Sequence, residues 1–248
     1  MRVGLFIPCF IDQLYPQVGI ATLEVLERYG CHVVYPAAQT CCGQPFANAG
    51  LLDEARPLAA RFLRIFAEAN VEHVVAPSGS CVAMVRRHYR HLFGELNHAD
   101  LTSRTWELCE FLVDILQIEP PTTAFAFQVG LHASCHGQRE LRLGSSSEIM
   151  EGAFDKVRSL LERLDGIEFT DLSRQDECCG FGGTFAVTEA AVSVAMGRDR
   201  IEDHLRGGTQ VLTATDMSCL MHLDGILRRM GHSIRVMHVA EILAGRLP

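Results

Sequence analysis

Apolar residues in this chain come in short runs separated by amphipathic stretches, and the arrangement occurs twice. Residues 2–7 are, after Arg2, an apolar run bounded by Pro8, the pattern of a strand buried on both faces. Residues 17–29 carry Val18, Thr22, Val25, Leu26 and Tyr29 close to helical spacing. A strand near 32–35, a loop holding adjacent cysteines, a helix near 52–69, a strand near 71–76 and a helix from about 81 to 92 follow. The series then repeats as strand 126–131, helix 148–164, short strand 167–170, a second loop with adjacent cysteines, helix 187–205, strand 209–213 and helix 219–230. Strands alternating with helices predict a parallel sheet covered by helices. The expected fold class is therefore α/β, with two tandem, pseudo-symmetric units, each a mainly parallel sheet flanked by helices. The first unit is expected over 1–118 and the second over 125–248. The linker is placed near 117–125, where Glu119-Pro120-Pro121-Thr122-Thr123 interrupts regular structure.

The cysteines sharpen the repeat. Eight of the ten fall into two sets, Cys9, Cys41, Cys42, Cys81 and Cys135, Cys178, Cys179, Cys219. The intervening gaps are 31 and 38 residues in the first set and 42 and 39 in the second, and each adjacent pair is followed by glycine, Gly43 or Gly180. Corresponding cysteines are offset by 126, 137, 137 and 138 residues. Flanking residues repeat too: Val3-Gly4-Leu5-Phe6 precedes Cys9, and Val129-Gly130-Leu131-His132 precedes Cys135. A fixed long-range repeat of this kind means two similar structural units. Cys9, Cys81, Cys135 and Cys219 each follow an expected strand, and loops beyond the carboxyl ends of parallel strands gather at one sheet edge. Thiols distant in sequence can meet there.

Composition narrows the chemistry. The chain has 248 residues, 48% of them apolar, and a net charge of 22 − 30 = −8. An acidic surface repels phosphate backbones, so nucleic acid is not an expected partner. No apolar run reaches the ~18 residues of a membrane span. The N-terminal stretch lacks the length and cleavage site of a signal peptide, and a buried first strand accounts for it. A cytoplasmic location is expected, where ten cysteines argue for metal ligation or redox chemistry rather than disulfides.

Thiolate is the usual ligand of iron–sulfur clusters, and four thiolates hold one 4Fe–4S cluster. A disulfide between neighbouring cysteines is strained, because the bond prescribes separations that one peptide link meets poorly. Two adjacent thiolates can instead serve neighbouring metal atoms. The glycine after each pair lets the backbone turn sharply and approach an inorganic core. One iron–sulfur cluster per unit is the expected cofactor. Zinc is the rival metal, and zinc at one of the two sites remains open, although structural zinc ligands usually lie two to four residues apart. Cys31 and Cys109 have no repeat partners and read as buried apolar residues. His132 and His136 flank Cys135, and His222 follows Cys219. His136 is the histidine singled out as a hydrogen-bond donor to the cluster, against the commoner structural role. No dinucleotide fingerprint, P-loop, nucleophile elbow or paired-carboxylate motif is present.

With these motifs in place, the chain resembles the cysteine-rich CCG-domain family, which includes the cysteine-rich subunit of heterodisulfide reductase and the iron–sulfur subunits of glycolate oxidase and anaerobic glycerol-3-phosphate dehydrogenase. The resemblance runs from Val3 to about Leu243. Two units without an added ferredoxin domain, together with Pro77-Ser78-Gly79-Ser80-Cys81 and Thr215-Asp216-Met217-Ser218-Cys219-Leu220-Met221-His222, are similar to the family's lactate-utilization branch. That resemblance implies an electron-transfer subunit of an L-lactate (2-hydroxy acid) oxidising complex, with a second iron–sulfur protein and a small third subunit as partners. A heterodisulfide reductase-like catalytic subunit and a non-redox zinc scaffold are the alternatives. In the heterodisulfide reductases each motif ends in Cys-x-x-Cys; here those positions read Ser78-x-x-Cys81 and Asp216-x-x-Cys219. One thiolate fewer per site argues against a five-cysteine noncubane cluster. Asp216, standing at the fifth-thiolate position, is expected either to support the cluster or to cap the helix that begins near Cys219.

Overall fold

The computed structural model of the chain describes residues 1–93, 99–119, 123–146 and 152–248. It divides into two units, Met1–Gln117 and Ile118–Pro248. In the first, strands β1 (Arg2–Leu5), β2 (His32–Val34), β3 (His73–Ala76) and β4 (Thr105–Glu107) form one parallel sheet in the order β2-β1-β3-β4. In the second, β5 (Gln128–Leu131), β6 (Glu168–Phe169), β7 (Val211–Ala214) and β8 (Arg235–His238) repeat it as β6-β5-β7-β8. The chain leaves the first strand of each unit toward one side, then returns to build on the other. The resulting switch point lies between β1 and β3, and between β5 and β7, the place where open parallel sheets form a crevice beyond their carboxyl ends.

Sequence explains the layers. Val3, Val74, Val75 and Ala76 are fully buried, as continuous apolar strands covered on both faces must be. Helix Pro16–Arg28 starts on a proline, whose fixed φ suits the first helical position, and buries Val18, Ala21, Thr22, Val25 and Leu26. Helix Leu52–Glu68 buries Ala55, Ala59, Phe62 and Phe66, one face at helical spacing. Its counterpart, Ala190–Arg206, buries Ser193, Gly197, Arg200 and His204 on the corresponding face. Among the described residues no helix is long and apolar enough to cross a membrane.

The structure departs from the sequence pattern in several places. Strands β4 and β8 were not expected, and each ends in a polar residue. Those residues, Glu107 and His238, are fully buried because each caps the next helix: Glu107 accepts from the N–H groups of Cys109 and Glu110, and His238 Nδ1 from that of Ala240. The helix expected over 81–92 is instead Gly79–Ala83, a wider π turn Met84–His88, and Tyr89–Phe93. Of the helix expected over 148–164, Lys156–Leu161 forms, capped by Asp155; residues 148–151 of that stretch lie outside the described residues. Of the expected linker, Ala124 bridges to Asp165 within the second unit, and residues 120–122 lie outside the described residues.

Candidate metal centres

Three loops at the carboxyl edge of the first sheet bring four thiols together. Cys9 opens the short helix Cys9–Leu14 after β1. Cys81 lies in helix Gly79–Ala83 after β3, where the Ser78 hydroxyl caps the helix by accepting from the Cys81 N–H at 3.3 Å. The pair Cys41–Cys42 follows β2, and Gln39 pins that loop to the end of β1, accepting from the Ile7 N–H at 2.7 Å and donating to the Leu5 carbonyl at 3.1 Å. Cys9 Sγ then stands 3.9 Å from Cys41 Sγ, and Cys42 Sγ 3.5 Å from Cys81 Sγ. Gly43 turns the loop with φ +88°, and its N–H points at Cys41 Sγ at 3.4 Å. From below, the Tyr89 hydroxyl donates to the Cys42 carbonyl at 3.0 Å.

The second unit builds the same constellation. Cys135 leads into the π turn His136–Glu140 after β5, and Cys219 sits in helix Met217–Met230 after β7. Two backbone donors face the adjacent pair: Gly180 N–H lies 3.3 Å from Cys178 Sγ and Phe181 N–H 3.5 Å from Cys179 Sγ. Gly180 has φ +85°, and a Cβ there would meet the Ser193 carbonyl oxygen at 2.5 Å, so helix Ala190–Arg206 packs on the loop backbone itself. Ligand atoms of His132, Cys179 and Cys219 all lie within 4.8 Å of one another.

The thiols of each set share protons along a chain. Cys41 is held well below the usual thiol range because it accepts from Cys42 and Cys9, with the Gly43 N–H adding to the effect. Cys178 is lowered in the same way, by Cys135, Cys179 and the Gly180 N–H. Their neighbours move up: Cys9 and Cys42 by donating to Cys41, Cys135 and Cys179 by donating to Cys178, with burial adding to each. One cysteine per set is thus poised as a thiolate, the form that binds metal.

The remaining polar residues divide. His136 Nε2 lies 3.7 Å from Glu140 Oε1 on its own turn. Asp216 occupies the N-cap position of helix Met217–Met230 by its backbone, but its side chain makes no capping bond, unlike Ser78. The Asp216 side chain is buried. His222 Nε2 sits 3.3 Å from the hydroxyl and from the carbonyl of Ser193, and burial lowers its pKa. Cys31 and Cys109 are buried.

Two further residues stand near the second set, His132, which flanks Cys135 in sequence, and Arg200, which the sequence reading did not name. His132 is fully buried and kept neutral, its pKa lowered to about 3 by burial and by the nearby Arg200 charge. Arg200 is itself completely excluded from solvent. The signal lies in comparing the repeats: a Cβ on Gly4 would touch Phe66 and one on Gly130 would touch His204, while Gly43 abuts Ala55 as Gly180 abuts Ser193. Phe6, Phe62 and Phe66 in the first unit therefore correspond to His132, Arg200 and His204 in the second.

Four converging sulfurs per unit, with backbone N–H groups aimed at them, fit a thiolate-held metal or iron–sulfur centre. Comparison with known proteins agrees. The cysteine-rich domain model designated CCG matches residues 3–86 and 129–224. Lactate utilization protein A of Exiguobacterium sp. is 41% identical over 98% of this chain and 96% of its own length. The proteins of that name from Geobacillus kaustophilus and Bacillus subtilis are 40% and 39% identical, each over 99% of this chain and all of the relative.

Proposed function

Because the chain belongs to the cysteine-rich CCG family, in the group of the lactate utilization proteins A, we propose that it is the iron–sulfur electron-carrying subunit of a system that oxidises L-lactate. Cys9, Cys41, Cys42 and Cys81 would hold one 4Fe–4S cluster, and Cys135, Cys178, Cys179 and Cys219 the other. The observation that carries this reading is the convergence of thiols beyond the switch point of each sheet, Cys9 on Cys41 and Cys42 on Cys81 in the first unit and Cys179 beside Cys219 in the second. A bound cluster supplies reversible one-electron storage. The chain's own contribution is to fix the sulfurs through glycine turns and helix starts and to aim backbone N–H groups at them. Partners of the stated kinds, a second iron–sulfur protein and a small third subunit, and a cytoplasmic location complete the reading. The chain is read as a relay within a complex rather than a stand-alone enzyme because both four-cysteine sets suit the holding of clusters.

Anaerobic purification tests this directly. The expected protein is brown and carries about eight irons and eight sulfides per chain, two 4Fe–4S clusters' worth. L-lactate is expected to bleach it only when the partner subunits are present. A colourless protein with stoichiometric zinc would sink the proposal in favour of a metal scaffold, and reduction of a disulfide substrate by the chain alone would favour a heterodisulfide reductase-like catalyst.

A further inference from the structure

The layer beneath the thiols differs in kind between the two units. In the first it is aromatic: Phe6 meets Phe62 edge to face at a centroid distance of 4.9 Å and Phe66 at 5.9 Å. In the second the corresponding places hold His132, Arg200 and His204, each buried to within 1% of complete exclusion. Both ring nitrogens of His132, and Nε and Nη2 of Arg200, have no hydrogen-bond partner among the described residues. A buried donor left unmade costs ~1–3 kcal/mol, so donors of this kind point to an acceptor beyond the hydrogen bonds made among the described residues. A ring nitrogen of His132 and the sulfurs of Cys179 and Cys219 lie within 4.8 Å of one another, and Cys178 and Asp216 are close enough to act on the same ring.

We propose that His132 donates a hydrogen bond to the sulfur of the centre held by the second set, and that this bond, with the Arg200 charge behind it, gives that centre the higher reduction potential of the two. The proposal rests on the reading of both sets as iron–sulfur sites. Reduction adds one negative charge to a cluster, and hydrogen bonds to sulfur and nearby positive charge stabilise the added charge. An aromatic floor offers neither. Carboxylates near the second centre oppose the effect only in part. Asp203 is occupied by Ser173, the Arg174 N–H and Arg206 at 3.2 Å, and Glu177 by Arg174 at 2.8 Å. Asp216 acts with the opposite sign. Each centre takes up one electron, with no bond made or broken, and in the half-reduced protein that electron resides in the second unit.

The test is an anaerobic dithionite titration of the loaded protein followed by EPR, with iron and sulfide counted for every sample. Two separate one-electron steps are expected. In protein labelled with ¹⁵N-histidine, the half-reduced state is expected to show a nitrogen coupling from pulsed EPR. His132→Gln, which keeps an N–H donor, is expected to lose that coupling and retain the upper potential. His132→Phe is expected to lose the coupling and move the upper step down toward the lower one. If His132→Phe does not hold iron, Phe6→His decides, with the lower step expected to rise. Two coincident steps in a fully loaded protein, or an upper step unmoved by His132→Phe at unchanged iron content, would overturn the proposal. A protein that takes up no iron and sulfide overturns the cluster reading itself, a failure distinct from a loaded protein with equal potentials.

Discussion

Arg200 stands in the second unit where Phe62 stands in the first. Each lies seven residues along its helix from the residue whose carbonyl abuts the glycine of the Cys-Cys-Gly turn, Ser193 against Gly180 and Ala55 against Gly43. The same backbone frame therefore carries an edge-to-face aromatic floor under one thiol set and a buried guanidinium under the other. The repeat preserves what positions the sulfurs and changes what surrounds them.

That frame makes the two glycines unequal. Both have φ near +85–88°, so alanine at either strains the turn by ~1–3 kcal/mol. A Cβ on Gly43 would approach the Ala55 carbonyl at 3.1 Å, whereas one on Gly180 would stand 2.5 Å from the Ser193 carbonyl and 2.9 Å from Met196 Cβ. Gly43→Ala is expected to cost about 1–2 kcal/mol, and Gly180→Ala about 3 kcal/mol or more because helix Ala190–Arg206 must move. Urea unfolding and iron content check both. Equal losses in the two variants would show that the helix yields freely.

Asp203 is the residue on which the buried charge beside the second set depends. It accepts from the Ser173 N–H at 3.1 Å, the Ser173 hydroxyl and the Arg174 N–H, and lies 3.6 Å from Arg200. Burial alone would raise its pKa, but these donors outweigh burial and hold it below the usual carboxylate range. Asp203→Asn leaves a guanidinium buried without its anion and is expected to cost about 3–5 kcal/mol. Asp199→Asn, exposed on the same helix, is expected to change stability by under about 0.5 kcal/mol. A loss below 1 kcal/mol for Asp203→Asn in urea unfolding would mean that Arg200 is neutralised by something else.

Much of this architecture was legible because the repeat and the apolar runs speak to the same fold. Strands β1, β3, β5 and β7 read as buried runs, and the spacing of the cysteines indicated that thiols would meet at the sheet edge. Strands β4 and β8 were not legible, since Glu107 and His238 look like surface residues until their capping roles are seen. Arg200 was passed over for a related reason, since a polar residue on a helix face reads as solvated, and His132, noted beside Cys135, was set behind His136. Only the offsets of 126 between Phe6 and His132 and 138 between Phe62 and Arg200 expose them as core positions. His136, singled out by its nearness to Cys135 in sequence, lies beside Glu140.

Ser78 and Asp216 hold corresponding positions ahead of the last cysteine of each set, yet only Ser78 caps with its side chain. Ser78→Ala is expected to lower stability by about 1 kcal/mol, the usual value of an N-cap. Asp216→Asn should not change stability through capping, because there is no capping bond to preserve; its effect is expected in the reduction potential of the second centre, upward. Thermal unfolding of both variants, alongside a potentiometric titration of the second, separates the roles. A stability loss of about 1 kcal/mol in Asp216→Ala that Asn fully restores would reinstate the cap.

The last prediction concerns acid. His204 is buried, 3.4 Å from the Thr209 hydroxyl, and its pKa is lowered to about 2 by burial first, then by Arg200 and His132. In the unfolded chain the same imidazole titrates near 6.5. Above about pH 6.5 neither state carries the proton and His204 makes no pH-dependent difference. As pH falls from there toward about 2, only the unfolded chain takes up a proton, so folding stability drops, by at most about 1.4 kcal/mol per pH unit from this residue. The first unit places Phe66 here and has no such proton to gain; Gly4 accommodates that ring with its missing Cβ only 3.0 Å away, a precedent for an aromatic side chain against Gly130. His204→Phe is therefore expected to fold and to lose roughly 1.5 kcal/mol less than the parent between pH 6.5 and 5, measured by urea unfolding at both values. His132 contributes a loss of the same sign, so the variant keeps some slope. Identical losses in parent and variant would mean that His204 takes up its proton in the folded state, and that the polar floor of the second unit is open to water.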